Sequence, residues 1–69
     1  MMRDYWNLVD GRALSAARAH SALEYARAVW DTDPKHSPVH AEFERVNDQG
    51  QRVYRIMRGG AEVGRVVEG

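Results

Sequence analysis

Hydrophobic and polar positions change period along the chain, and each change marks an element. Residues 3–9, RDYWNLV, gather aromatic and branched residues in a short run, which predicts a strand. Asp10-Gly11 ends that run. From Arg12 to Trp30 the chain reads RALSAARAHSALEYARAVW, without Gly or Pro and rich in strong helix formers. At about 100° per residue, Ala16, Ala19, Leu23, Ala26 and Trp30 fall on one stripe flanked by Ala22 and Val29. Leu14, Tyr25 and Ala28 lie roughly opposite. His20, Glu24, Arg27 and Asp31 make a polar strip, in which His20–Glu24 and Arg27–Asp31 are i,i+4 pairs worth about 0.2–0.5 kcal/mol each. The spacing predicts one helix over 12–30, lying close on a sheet through its alanines.

After the loop DTDPKHSP (31–38) come three alternating runs, VHAEFERV (39–46), RVYRIMR (52–58) and EVGRVVE (62–68). Gly59-Gly60 tolerates the positive φ of a type I′ turn and predicts a tight hairpin. That loop pairs Arg58 with Ala61, Ile56 with Val63, Tyr54 with Arg65 and Arg52 with Val67. A two-residue loop at Gln49-Gly50 would set Phe43 against Ile56 and Arg45 against Tyr54. Val39, Ala41, Phe43, Tyr54, Ile56, Val63 and Val67 then face the helix. Glu42, Glu44, Val46, Val53, Arg55, Met57, Glu62 and Val66 face away. A three-residue loop would instead turn Val53, Arg55 and Met57 to the face of Phe43, since a one-residue slip flips a strand. The expected fold is α+β in two layers: one Ala-rich helix on an antiparallel three-stranded meander, with residues 3–9 as an added edge strand (βαβββ). Residues 1–69 form a single domain.

Composition narrows the function. A chain of 69 residues buries only about 60% of its unfolded surface, so small domains of this kind lean on disulfides, metals or partners. There is no cysteine, which removes disulfides and thiolate metal sites. Ten basic residues balance ten acidic ones, so no general pull on nucleic acid or an anionic membrane exists. No apolar run approaches the roughly 20 residues of a membrane span. MMRDYWNLVDG has acids where a signal peptide needs an unbroken apolar stretch, and the expected location is the cytoplasm.

Two surfaces are candidates for contact. Arg45, Arg52 and Arg65 collect around Tyr54 at one end of the helix-side face, where unpaired burial would be costly. On the other side Val53, Met57 and Val66, with Val46, make an apolar strip ringed by charge, the usual mark of an interface. Arg55 sits there opposite Glu44 and near Glu42 and Glu62, as a cross-strand ion-pair partner. Asp31, Asp33, His36 and His40 cluster in sequence, but Ser37-Pro38 breaks the helix that would align two histidines on a metal. No serine lies in a Gly-x-Ser-x-Gly elbow and no Gly-rich phosphate loop appears. No catalytic residue, metal or cofactor is assigned.

In layout the chain resembles small phage-encoded α/β proteins, including anti-CRISPR inhibitors. The features that carry the resemblance are one Ala-rich helix, ALSAARAHSALEYARAVW, followed by HAEFERV, RVYRIMR and EVGRVVE. It implies inhibition of a host complex by surface occlusion, in the cytoplasm of the host cell, while the neutral charge departs from nucleic-acid mimicry. The expected function is non-enzymatic protein binding, to another protein or a second copy in a homodimeric accessory subunit. Val53, Arg55, Met57, Val66, Arg45, Arg52 and Arg65 are the candidate contacts. The alternative is a nucleic-acid-binding domain that uses the Arg cluster on its sheet.

Overall fold

The computed structural model describes residues 1–69. Five strands and one helix follow in the order β1 (Arg3–Val9), β2 (Arg12–Ala19), α1 (Ala22–Trp30), β3 (His40–Val46), β4 (Arg52–Arg58) and β5 (Ala61–Glu68). All five strands join one antiparallel sheet in the spatial order β2-β1-β5-β4-β3. The three-stranded meander with one long helix is therefore corrected: the sheet has five strands, and the first half of the expected helix is β2.

Two local signals explain that correction. Asp10 and Gly11 both have positive φ, 51° and 77°, so they form a primed two-residue turn that pairs Val9 with Arg12. Ser21 then starts the helix. Its hydroxyl accepts from the Glu24 N–H at 3.1 Å, and Glu24 Oε1 reaches back to accept from the His20 N–H at 3.2 Å. This is a capping arrangement, and it commits Glu24 to the helix end rather than to a pair with the His20 ring.

The shortened helix buries Ala22, Tyr25 and Ala26. Tyr25 thus lies in the core rather than opposite it, because the stripe of so short a helix runs through Ala22, Tyr25, Ala26 and Val29. Tyr5, Ala19, Val39, Ile56 and Val66 complete the buried cluster, with Trp30, Ala41, Tyr54 and Val63 packed against it. Tyr5 and Tyr25 stack with centroids 5.9 Å apart. The Tyr25 hydroxyl donates to the Ser15 carbonyl at 2.6 Å. Ser15 has φ 56° and sits where β2 slips against β1 between Tyr5 and Asn7, a bulge in which a left-handed residue re-aims the strand.

Two more bulges set the register of the meander. One lies between Phe43 and Arg45 in β3, and the other shifts β5 between Ile56 and Met57. Arg58 still faces Ala61, but Ile56 faces Gly64, Tyr54 faces Val66 and Arg52 faces Glu68. On the β3 side, Phe43 faces Tyr54 and Ala41 faces Ile56. A uniform two-residue count through both turns misses these single extra residues. The consequence is that Val66 lies in the helix-side core and Val67 turns outward.

The sheet ends are tied beneath the helix N-terminus. Glu68, only 9% exposed, accepts from the Tyr5 hydroxyl at 2.8 Å. Arg3 and Arg52 approach the other carboxylate oxygen at 3.6 and 3.9 Å. Burial, then the bond to Glu68, pushes the Tyr5 hydroxyl up to about 12. Burial also raises Tyr25. At the far end of the helix, Arg58 donates to the Trp30 carbonyl at 2.7 Å and to Asp31 at 2.9 Å. Asp31 therefore pairs with Arg58, where the i,i+4 pattern assigned it to Arg27. The Val39 N–H, followed by Arg58, holds the Asp31 carboxyl below its ordinary value.

Candidate functional site on the outer sheet face

Side chains alternate along a strand, so the neighbours of Tyr5, Ile56 and Val66 point away from the helix. One row across this outer face runs Trp6, Val67, Val53, Arg45, and the next runs Ala13, Leu8, Arg65, Arg55, Glu42. The first row is apolar from β1 to β4. Val53 is only 1% exposed although no helix lies on this side. Trp6 reaches the sheet end, where its ring lies against the Gly69 α-carbon.

Trp6, Leu8, Ala13 and Val67 line a concavity of about 550 Å³, whose polar wall is Arg45, Asn47, Asp48, Gln49 and Gln51. That wall is built by local chemistry. The Asn47 side-chain oxygen accepts from the Gln49 and Gln51 N–H groups at 3.0 and 2.9 Å, and the Gly50 N–H donates to the Asn47 carbonyl at 3.0 Å. The side-chain bonds of Asn47 are those of an Asx-type turn, which holds the loop without burying it.

The β3/β4 side of the same face is an ion network around Glu44. Arg45 and Arg65 each approach it at 3.3 Å and Arg55 at 3.8 Å. Arg55 also meets Glu42 at 3.6 Å, Glu42 meets His40 at 2.8 Å, and Arg65 meets Glu62 at 3.5 Å. Arg55 thus has the cross-strand acids that its position in the sequence called for.

The expected contact residues divide among three places. Arg55 and Met57 lie on the outer face, and Val53 is there but buried. Arg45 and Arg65 share Glu44 on that face, while Arg52 lies on the helix side with Glu68. The three arginines therefore do not form one cluster. Val66 is fully buried in the core, because the β5 bulge turns it inward, and it has no surface to offer.

Of the nine arginines, Arg3, Arg18, Arg45, Arg52, Arg55, Arg58 and Arg65 stand within 4 Å of a carboxylate. Only Arg12 and Arg27 do not. The four apolar residues of the concavity escaped the sequence reading. Trp6 and Leu8 could have been found from the alternation in RDYWNLV, and Ala13 from the Asp10-Gly11 hairpin signal. Val67 could not, since its facing depends on the bulge.

No group of three or more His, Asp or Glu side chains is placed to hold a metal ion. No helix is long and apolar enough to cross a membrane. Comparison with protein families, with curated proteins and with solved structures finds no match. The layout behind the resemblance to phage inhibitors has itself changed, since half of its Ala-rich helix is strand.

Proposed function

We propose that the chain is a non-catalytic protein-binding module that receives its partner on the outer sheet face. The observation that carries this reading is the open concavity that Trp6, Leu8 and Ala13 line beside the Arg45 wall, with the buried Val67 at its base. An apolar floor with a polar rim is the anatomy of a protein interface, and a tryptophan in its lining is a favoured anchor. The shifted groups support binding over chemistry. Tyr5 is bonded to Glu68, Tyr25 to the Ser15 carbonyl, and Asp31 to Val39 and Arg58. Each is committed to holding the fold.

Nucleic-acid binding draws less support. Phosphate contacts need free cations, and seven of the nine arginines already face carboxylates. Leu8→Lys places a charge in the concavity without touching the helix-side core, and it tests the reading. A partner captured from source cells by the wild-type chain should be lost with this variant, while thermal melting shows the fold retained. Equal capture by both chains would remove the outer face from consideration. Fluorescence anisotropy with a short DNA duplex should show no binding at low salt, and salt-sensitive binding would restore the nucleic-acid reading.

A further inference from the structure

The two free edges of the sheet are built differently. β2 carries Arg12 and Arg18 and no acid, is largely alanine, and is bent by the Ser15 bulge. Its charges are of one sign, so a second copy of β2 would meet it with like charge. β3 instead exposes Phe43 and Val46, each 56% accessible, on the helix side of the sheet. The Phe43 ring meets Tyr54 edge-on at 5.9 Å and is otherwise open. β3 has a bulge too, and neither edge carries Lys or Pro, but the charges of HAEFERV are of both signs, so a second copy can meet it with opposite charge.

We propose that β3 pairs with β3 of a second copy of this chain, antiparallel about Phe43, to make one continuous sheet. The side chains of β3 are self-complementary in that arrangement. On the helix side Phe43 meets its own copy on the two-fold axis, and Ala41 of each protomer falls beside Val46 of its partner. The β3 bulge leaves Glu44 and Arg45 together on the outer side, so both stand opposite Glu42 across the axis. Arg45, 55% exposed with its Nε on Glu44, brings a cation to the partner's Glu42, and Arg55 and Arg65 offset the Glu44 carboxylate that would otherwise repel it. The cationic β2 edge disfavours a second contact of the same kind, so the sheet closes as an isologous dimer rather than a fibre.

Light scattering over a dilution series tests this directly. The wild-type chain should show about twice its 7.9 kDa mass at high concentration. Phe43→Lys should raise the dissociation constant by roughly tenfold or more. Leu14→Lys, at an exposed position on β2, should leave the dimer intact. Arg45→Glu should weaken the dimer, and adding Glu42→Arg should restore it, a rescue that loss of folding cannot produce. Val46→Lys substitutes for Phe43→Lys if the latter melts early. A wild-type chain of 7.9 kDa at every soluble concentration overturns the proposal. So does a dimer indifferent to Phe43→Lys and Val46→Lys, or one broken by Leu14→Lys. A dimer dispersed by Leu8→Lys alone would place the contact on the outer face and overturn the β3 pairing.

Discussion

Replacing Gly64 by alanine should destabilise the protein, and the reason is one contact. A methyl group at that α-carbon would stand 2.2 Å from Trp30 Cζ2 and 3.0 Å from two further ring atoms. Ordinary carbon contacts begin near 3.5 Å, so the indole must retreat by more than an ångström. It has little freedom to do so, because Trp30 is the last helical residue and its carbonyl accepts from Arg58 at 2.7 Å. Overpacking of this kind costs about 1–3 kcal/mol. The stiffer unfolded chain returns about 0.4–1 kcal/mol, and the middle of the two ranges leaves a net loss of about 1.3 kcal/mol. For a domain of this size that is roughly 5–10 °C in Tm.

Urea unfolding followed by circular dichroism measures the loss, and tryptophan emission reports the displaced ring. In a Trp30→Leu background the alanine should be neutral or stabilising, since the obstruction is gone. A Gly64→Ala chain as stable as wild type with unchanged emission would refute the reasoning. So would an equal loss in both backgrounds.

Three further outcomes follow from the same geometry. Ser21→Ala removes the acceptor for the Glu24 N–H and should cost about 0.5–2 kcal/mol in urea unfolding, with Ser21→Asp retaining most of it. Tyr5 titrates near 12 in the folded chain and near 10 when unfolded, so the unfolded state sheds its proton first. Stability should be complete below pH 10 and fall by up to about 3 kcal/mol towards pH 12, and Tyr5→Phe should remove most of that decline. Asp31 runs the other way: its depressed folded value gives stability that is present above the ordinary carboxylate range and lost as pH falls through the folded value. An acid melt of Asp31→Asn should therefore be flatter than that of wild type.

Much of the architecture is legible in local sequence. Alternation locates β1, β3, β4 and β5 to within a residue or two, and Gly59-Gly60 correctly sets Arg58 against Ala61. The pairing of Arg55 with Glu42 and Glu44 also follows from pattern alone. The error at residues 12–20 has a specific origin. RALSAARA is good helix sequence, and propensity summed over it outweighs the Asp10-Gly11 turn and the Ser21/Glu24 cap that bound it. Seven of the eight residues of β2 are exposed, so its own burial does not choose its conformation. The ladder to β1 does.

The candidate site divides along the same line. Its rim and ion network come from residues whose strands were recognisable, while its floor needed β2 as a partner for β1 and Val67 turned outward. The sequence alone determined which segments carry strand-forming alternation, where the meander turns, and that charge is balanced chain-wide. Only the tertiary structure decided that an alanine-rich stretch becomes an edge strand and that Val66 rather than Val67 meets the helix. The physical reason is that propensity is summed over neighbours in the chain. A ladder bond or a one-residue bulge is fixed by the strand alongside, and shifting the register by one exchanges the two faces of everything beyond it.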